Sequence, residues 1–325
     1  WATFGLALAA LTDPHWSALA PVGALRRWRL VEVDDTAGLT EARLRIDERI
    51  LHHLAGVDYL DPRLQPLLRP LPASDLLADG HRRLAEETAR ALIAATVTPL
   101  VQLTGDDPEG QRDVAAAIAG RLGTPLFAVA AEDLPAEAHE LAALATLWRR
   151  EAALSGGALL VIQRAAATLD TVRRFAAQAG SPVLVAARDP FRFDGPGLRV
   201  AVDKPSAPEQ RQLWRERLGD QNERLGAAVD AVASQYRLSA RTIAVAADRV
   251  GALLAADADP EPALWRACRE VEVARLDALA QRLAPTAGWD DLVLPEAQLA
   301  SLRRIAAGVR HRLRVHHDWG FAARS

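Results

Sequence analysis

Lysine occurs once in this chain, at position 204; cysteine occurs once, at 268; methionine does not occur. A single cysteine excludes an internal disulfide framework and a zinc site built from several thiolates, and it fits a reduced, cytoplasmic setting. A single lysine, remote from any glycine-rich turn, excludes a phosphate loop that depends on a lysine ammonium. No apolar run approaches the ~20 residues that span a bilayer. A net charge of -3 leaves no bulk attraction to nucleic acid or to an anionic membrane. The opening WATFGLALAALT lacks the basic start and the cleavage context of a secretory signal, and is expected to be a buried amphipathic helix. A translated chain starts with Met, so a start at Trp1 reads as that of an internal segment of a longer protein.

What is present suits folded protein. Half of the 325 residues are apolar and a quarter charged, enough for two or three domains with real cores. Residues 1–60 read as two helical stretches followed by alternating segments at Leu30–Val33 and Ala42–Ile46, a two-stranded ribbon. Asp47 is placed to cap the next helix, which Gly56 ends. Helices plus a ribbon resemble a winged-helix module. Arg26, Arg27, Trp28 and Arg29 offer a nucleic-acid contact or, more simply, a solvated basic edge with Trp28 in the core. His52 and His53 are adjacent and so point to different sides of the helix, against a shared metal. Residues 61–73, with four prolines, read as a linker, and Ser74 as the cap of a helix reaching Ile93.

From Pro99 to about Val202, apolar strands alternate with helical segments: Leu100–Thr104, Leu126–Ala130, Ala158–Ile162, Val183–Ala186 and Leu198–Val202, with helices near 110–122, 136–154 and 168–179. That pattern predicts a parallel sheet flanked by helices, with any ligand at the carboxyl ends of the strands. The organising stretch is Pro99–Ile118, a strand, a turn with Gly105 and Gly110, and a helix. It has the outline of a phosphate-binding loop, but Gln111 and Arg112 stand where Lys and Ser/Thr are needed to neutralise phosphate and hold Mg²⁺. The strand at 158–162 runs into Gln163 and Arg164, where an NTPase of this kind places Asp and Glu. An amide is a poor ligand for a hard cation, and a guanidinium cannot accept a proton. Loop and strand lack their chemistry together.

These residues resemble the AAA+ ATPase family. The resemblance implies an α/β fold: a winged-helix-like unit (1–60), the linker 61–73, a degenerate AAA+ P-loop NTPase domain (74–206), a helical lid (207–258) and a helical connector (259–287). Residues 288–325 are then the truncated start of a second AAA module. Arg188 stands where a polar sensor is usual, Arg241 looks like a second sensor, and Arg192 stands where a finger toward a neighbouring subunit would lie. In Gly288-Trp289-Asp290-Asp291-Leu292, the residues Asp290, Asp291 and Leu292 look like the lining of an adenine pocket, and Gly320 like part of the loop leading to the next phosphate site. The whole arrangement is similar to AAA ATPases encoded with phage-tail-like contractile injection systems.

That resemblance implies a cytoplasmic, homo-oligomeric, hexameric ATPase that remodels or assembles protein complexes. ATP and Mg²⁺ belong to the second module of the parent protein. In the residues at hand no catalytic residue and no metal site are expected; the degenerate nucleotide site comprises Gly105, Gly110, Gln111, Arg112, Gln163, Arg164, Arg188 and Arg241. The alternatives are a DNA-acting AAA+ protein that reads through its winged helix, and a non-catalytic scaffold. The DNA reading needs a basic recognition helix, and 47–55, DERILHHLA, is not basic. Cys268, in a helical setting with no histidine near in sequence, reads as structural.

Overall fold

Short apolar runs buried on both faces, interrupted by helices, build the larger part of the first unit. The computed structural model describes residues 1–34, 38–180, 182–255, 259–276 and 288–311. They form two units, Trp1–Ser74 with Arg82–Asp203, and Asp75–His81 with the residues from Lys204 onward.

The first unit begins with α1 (Phe4–Ala10) and α2 (Ala24–Arg27), then the antiparallel ribbon of β1 (Val31–Val33) and β2 (Leu44–Ile46). Helix α3 (Glu48–Leu54) follows, its N-terminus capped by the Asp47 carboxylate, which accepts from Arg49 N at 3.1 Å. Of α1 only Phe4 is buried, so the expected buried amphipathic helix is a helix anchored by one residue. Trp28 is half-buried rather than in the core, between the guanidiniums of Arg27 and Arg149, 5.5 and 4.9 Å from its ring. His52 and His53 have separate partners, the Tyr59 hydroxyl and the Asp58 carboxylate.

The α/β part runs through β3 (Arg69–Pro70), α4 (Asp79–Ala94), β4 (Leu100–Thr104), α5 (Pro108–Leu122), β5 (Leu126–Ala130), α6 (Ala138–Ser155), β6 (Ala158–Ile162), α7 (Leu169–Ala179), β7 (Val183–Ala186) and β8 (Gly197–Ala201). The sheet order is β3-β5-β6-β7-β4-β8, parallel except for the β3 edge. Alternate residues face alternate layers. Val101, Leu103, Leu160 and Leu184 pack with Ala85 and Ala89 of α4 and with Val114 and Ile118 of α5. On the other face, Leu100, Leu159, Val161 and Val185 pack with Leu141 and Trp148 of α6 and with Val172 and Phe175 of α7.

Residues 61–73 differ from a linker. Leu64 and Leu68 are buried in the α6–α7 layer, and Arg69–Pro70 pair with β5. Proline suits an edge strand, where a missing N–H leaves no ladder bond unmade. The helix expected to start after Ser74 starts at Asp79, because Leu76 and Ala78 are drawn into the core of the second unit.

Residues 1–60 are also held to the α/β layers rather than standing apart. Arg49 of α3 grips Glu151 of α6 through two bonds, Nε–Oε2 at 3.1 Å and Nη2–Oε1 at 2.9 Å, with both side chains only 2% exposed. Beside it, Arg150 binds the carboxylates of Asp47 and Asp61 and the carbonyl of Arg29, and Arg63 binds the same two aspartates. Burial pushes the Asp47 and Asp61 carboxyls up, but the bonds and charges of Arg63 and Arg150 outweigh it and hold both below the ordinary carboxylate range.

The second unit is helical: α8 (Ala207–Leu218), α9 (Asn222–Gln235), α10 (Ala240–Ala255) and α11 (Pro260–Leu276), with α12 (Glu296–Arg310) further along. Its core holds Trp214, Val232, Ile243, Val250, Leu264 and Cys268, each fully buried. Leu264, Ala267 and Cys268 lie on α11, so the first part of the expected connector is a wall of the helical core. Glu209 Oε1 accepts from Gly80 N at 2.8 Å and Glu209 Oε2 from Ser206 N at 2.9 Å, fastening residues 75–81 to the start of α8.

Candidate functional site

The turn after β4 lies where its sequence puts it, at the carboxyl end of a strand flanked by β7 and β8. Gly105 has φ +128°, a conformation closed to ordinary L-residues, and a Cβ there would lie 2.5 Å from the Val202 oxygen and 2.7 Å from Asp203 Oδ1. The loop is therefore pressed against the end of β8.

Its amides point at protein oxygens. Gly105 N donates to Arg188 O at 3.1 Å, Asp106 N to Asp203 Oδ1 at 3.2 Å and Asp107 N to Val202 O at 3.4 Å. Gly110 N donates to Asp107 Oδ1 at 3.0 Å, which makes Asp107 the N-cap of α5, with Pro108 following in the first turn. Gln111, at the lysine position, is 2% exposed and turned inward. Its Nε2 donates to Ala187 O at 3.0 Å and to Gly105 O at 3.3 Å, tying the loop to the end of β7. Arg112 is half-buried on α5.

At the end of β6, Gln163 N donates to Ala186 O at 2.8 Å and Gln163 Nε2 to Ala165 O at 2.7 Å, while Arg164 is exposed. Glu132, just beyond β5, brings a carboxylate to this end, where it accepts from Ala165 N at 3.2 Å. Arg188 joins the loop through its carbonyl; its side chain is exposed. Arg192 is 90% exposed with Asp194 at 3.7 Å. The fold thus gathers Gly105, Gly110, Gln111 and Arg188 into one bonded cluster, with Gln163 joined to β7 one strand away. Among the described residues no group of three or more His, Cys, Asp or Glu is arranged to hold a metal ion.

Arg241 belongs to the other unit, exposed in the first turn of α10, whose start Ser239 caps by accepting from Thr242 N at 3.1 Å. Trp289–Asp291 form a short turn closed by Gly288 N donating to Asp291 Oδ2 at 2.7 Å, and the Arg303 guanidinium of α12 lies 6.0 Å from the Trp289 ring. Leu292 follows, 42% exposed. Gly320 lies outside the described residues. Sequence reasoning passed over Asp107 and Asp203, which take loop amides. The signal for Asp107 was its position before Pro108, an Asp–Pro helix start; Asp203 carries no local signal.

Residues 206–273 match the family model described as the contractile injection system ATPase helical domain. The matched span runs from the residue before α8 into α11, across four of the helices of the second unit. No curated protein matches the chain. The match shows that this stretch is similar to the helical domain of contractile injection system ATPases. Among the described residues no helix is long and apolar enough to cross a membrane.

Proposed function

We propose that this chain is the regulatory and oligomerising portion of an AAA+ ATPase that remodels or assembles protein complexes of a contractile injection system. Its first module does not hydrolyse ATP. The observation that carries this reading is the place of Gln111: at the position that needs a phosphate-facing ammonium there is a buried amide spent on Ala187 O and Gly105 O. Gln163 and Arg164, at the strand end that needs a metal-ordering and a water-polarising acid, remove the second requirement.

On this reading residues 207–258 are the helical lid, residues 288–325 open a second module that takes ATP and Mg²⁺, and subunits assemble as a hexameric homo-oligomer. A module without its own catalytic groups still packs in a ring and passes conformational change to an active tier. Helices with a ribbon at 1–60 support a winged-helix-like unit. Arg49, the one arginine or lysine of α3, is committed to Glu151 in the interior, which favours a protein-binding over a DNA-reading role for that unit.

An ATPase assay on the 325-residue chain tests this. The expected result is no Mg²⁺-dependent turnover above buffer. Turnover that disappears on substitution of Gly110 would overturn it.

A further inference from the structure

We infer that the groove beside α7, at the amino ends of β4, β7 and β8, takes an extended peptide segment of a partner protein that carries carboxylates beside apolar side chains. The Gly105 loop lies at the carboxyl ends of the same strands, so nothing in this groove depends on nucleotide.

Helix α7 ends at Gly180, φ +64°, and the chain returns from β7 to β8 through residues 187–196 without a helix. Between the two lies a groove of about 1090 Å³. That exceeds the ~300–1,000 Å³ usual for small-molecule sites and leaves room for several residues of peptide. Pro99, Leu100 and Val183, all buried, line its depth, which suits apolar side chains.

Its charge is one-sided. Arg173, Arg174 and Arg192 line it against a single lining carboxylate, Asp194. Arg173 Nη1 lies 3.3 Å from Asp170 Oδ1 and Arg192 Nε 3.7 Å from Asp194 Oδ1, with both aspartates largely exposed. Exposed pairs of this kind are weak and exchange readily for a better partner. Arg174 donates to the backbone carbonyls of Asp170 and Ala136, which carry no charge. Arg173 Nε is withdrawn from water and has no hydrogen-bond partner among the described residues. Since the Arg173 side chain is 37% exposed, a small rotation offers Nε and an Nη together to one carboxylate, the paired geometry that arginine favours. At Gly180 the groove meets a further guanidinium, for a Cβ there would lie 2.5 Å from Arg149 Nε.

In a chain of net charge -3, a cleft of this sign concentrates attraction on acidic ligands. The apolar depth favours peptide over nucleic acid. Phe191 is buried against the Arg173 guanidinium and Phe193 lies against Gly195, so neither ring stands free as a platform for a base.

The test uses the 325-residue chain without nucleotide and a short fluorescein-labelled peptide of leucine and glutamate, followed by fluorescence anisotropy. Saturable binding is expected, and the same peptide with glutamine for glutamate should bind at least roughly tenfold more weakly. Arg173→Gln and the exposed Arg192→Gln should each weaken binding roughly tenfold. Ala177→Trp fills the groove from an exposed position on α7, and should abolish binding with the urea midpoint unchanged. No saturable binding, or binding that Ala177→Trp leaves intact, overturns the inference. Equal competition by oligodeoxythymidylate would assign the groove to nucleic acid, and self-association that Ala177→Trp dissolves would assign it to a second copy of the chain; either overturns it as well. ATP turnover by the chain, which would overturn the non-hydrolysing reading, bears on none of these outcomes.

Discussion

Arg49 and Glu151 lie 102 positions apart in sequence and meet as a two-bond ion pair in the interior of the first unit. The planar guanidinium fits the carboxylate edge to edge, which a lysine would not do. Through this pair, helix α3 is fixed to the long helix α6 that backs the sheet.

Removing one partner should cost more than removing both. Glu151→Ala leaves the buried Arg49 charge with only the exposed Asp58 carboxylate, 3.2 Å away, as a partner, at about 3–5 kcal/mol of destabilisation, whereas Arg49→Met with Glu151→Leu should recover most of the loss. Urea unfolding of the two variants beside the native chain, followed by limited proteolysis within residues 1–74, checks both the order and the size.

Acid should weaken the same region. Asp47 and Asp61 are held below the usual carboxylate range in the folded protein, so their contribution is fully present above the unfolded carboxylate value of ~3.9 and is lost as pH falls through the lower folded values. The urea midpoint of the first unit should therefore drop below about pH 4, and Asp61→Asn should flatten that drop while lowering the midpoint at neutral pH.

Restoring the loop residues should not restore chemistry. Gln111→Lys with Arg112→Thr supplies the ammonium and the hydroxyl, but Gln163 and Arg164 still provide no acid, so no ATP turnover is expected. Gln111→Leu is informative for stability alone: it leaves the Ala187 and Gly105 carbonyls without that donor and should cost about 1–3 kcal/mol by chemical denaturation.

Cys268, fully buried on α11, reports on the helical unit. A thiol reagent should label it only at the rate at which that unit opens, and far faster in denaturant. Rapid labelling of the native protein would contradict the placement of α11 in the core.

The five parallel strands and the helices between them were legible because each carries its own local signal. Leu100–Thr104 and Ala158–Ile162 are short apolar runs between turn residues, and their bounds agree with the structure residue for residue. The identity of Gln111, Arg112, Gln163 and Arg164 was likewise enough to show which chemistry is missing. The proline-rich stretch misled, because a lack of helix signal does not distinguish a linker from an edge strand. Leu64 and Leu68 become core only where α6 and α7 leave room for them. The same limit applies to Ser74, a good local cap whose helix gives way to Leu76 being buried among α8, α9 and α10.

By itself, then, the sequence determined the alternation of strands and helices, the absent lysine and acids, and the helix start at Asp47. Periodicity and capping act within a few residues and need nothing else. Only the tertiary structure decided that Arg49 answers Glu151, that Gln111 reaches Ala187, and that Asp203 closes on Asp106. Those pairs lie 76 to 102 positions apart. Contacts at that range depend on which strands become neighbours, and the burial of a whole sheet face sets that.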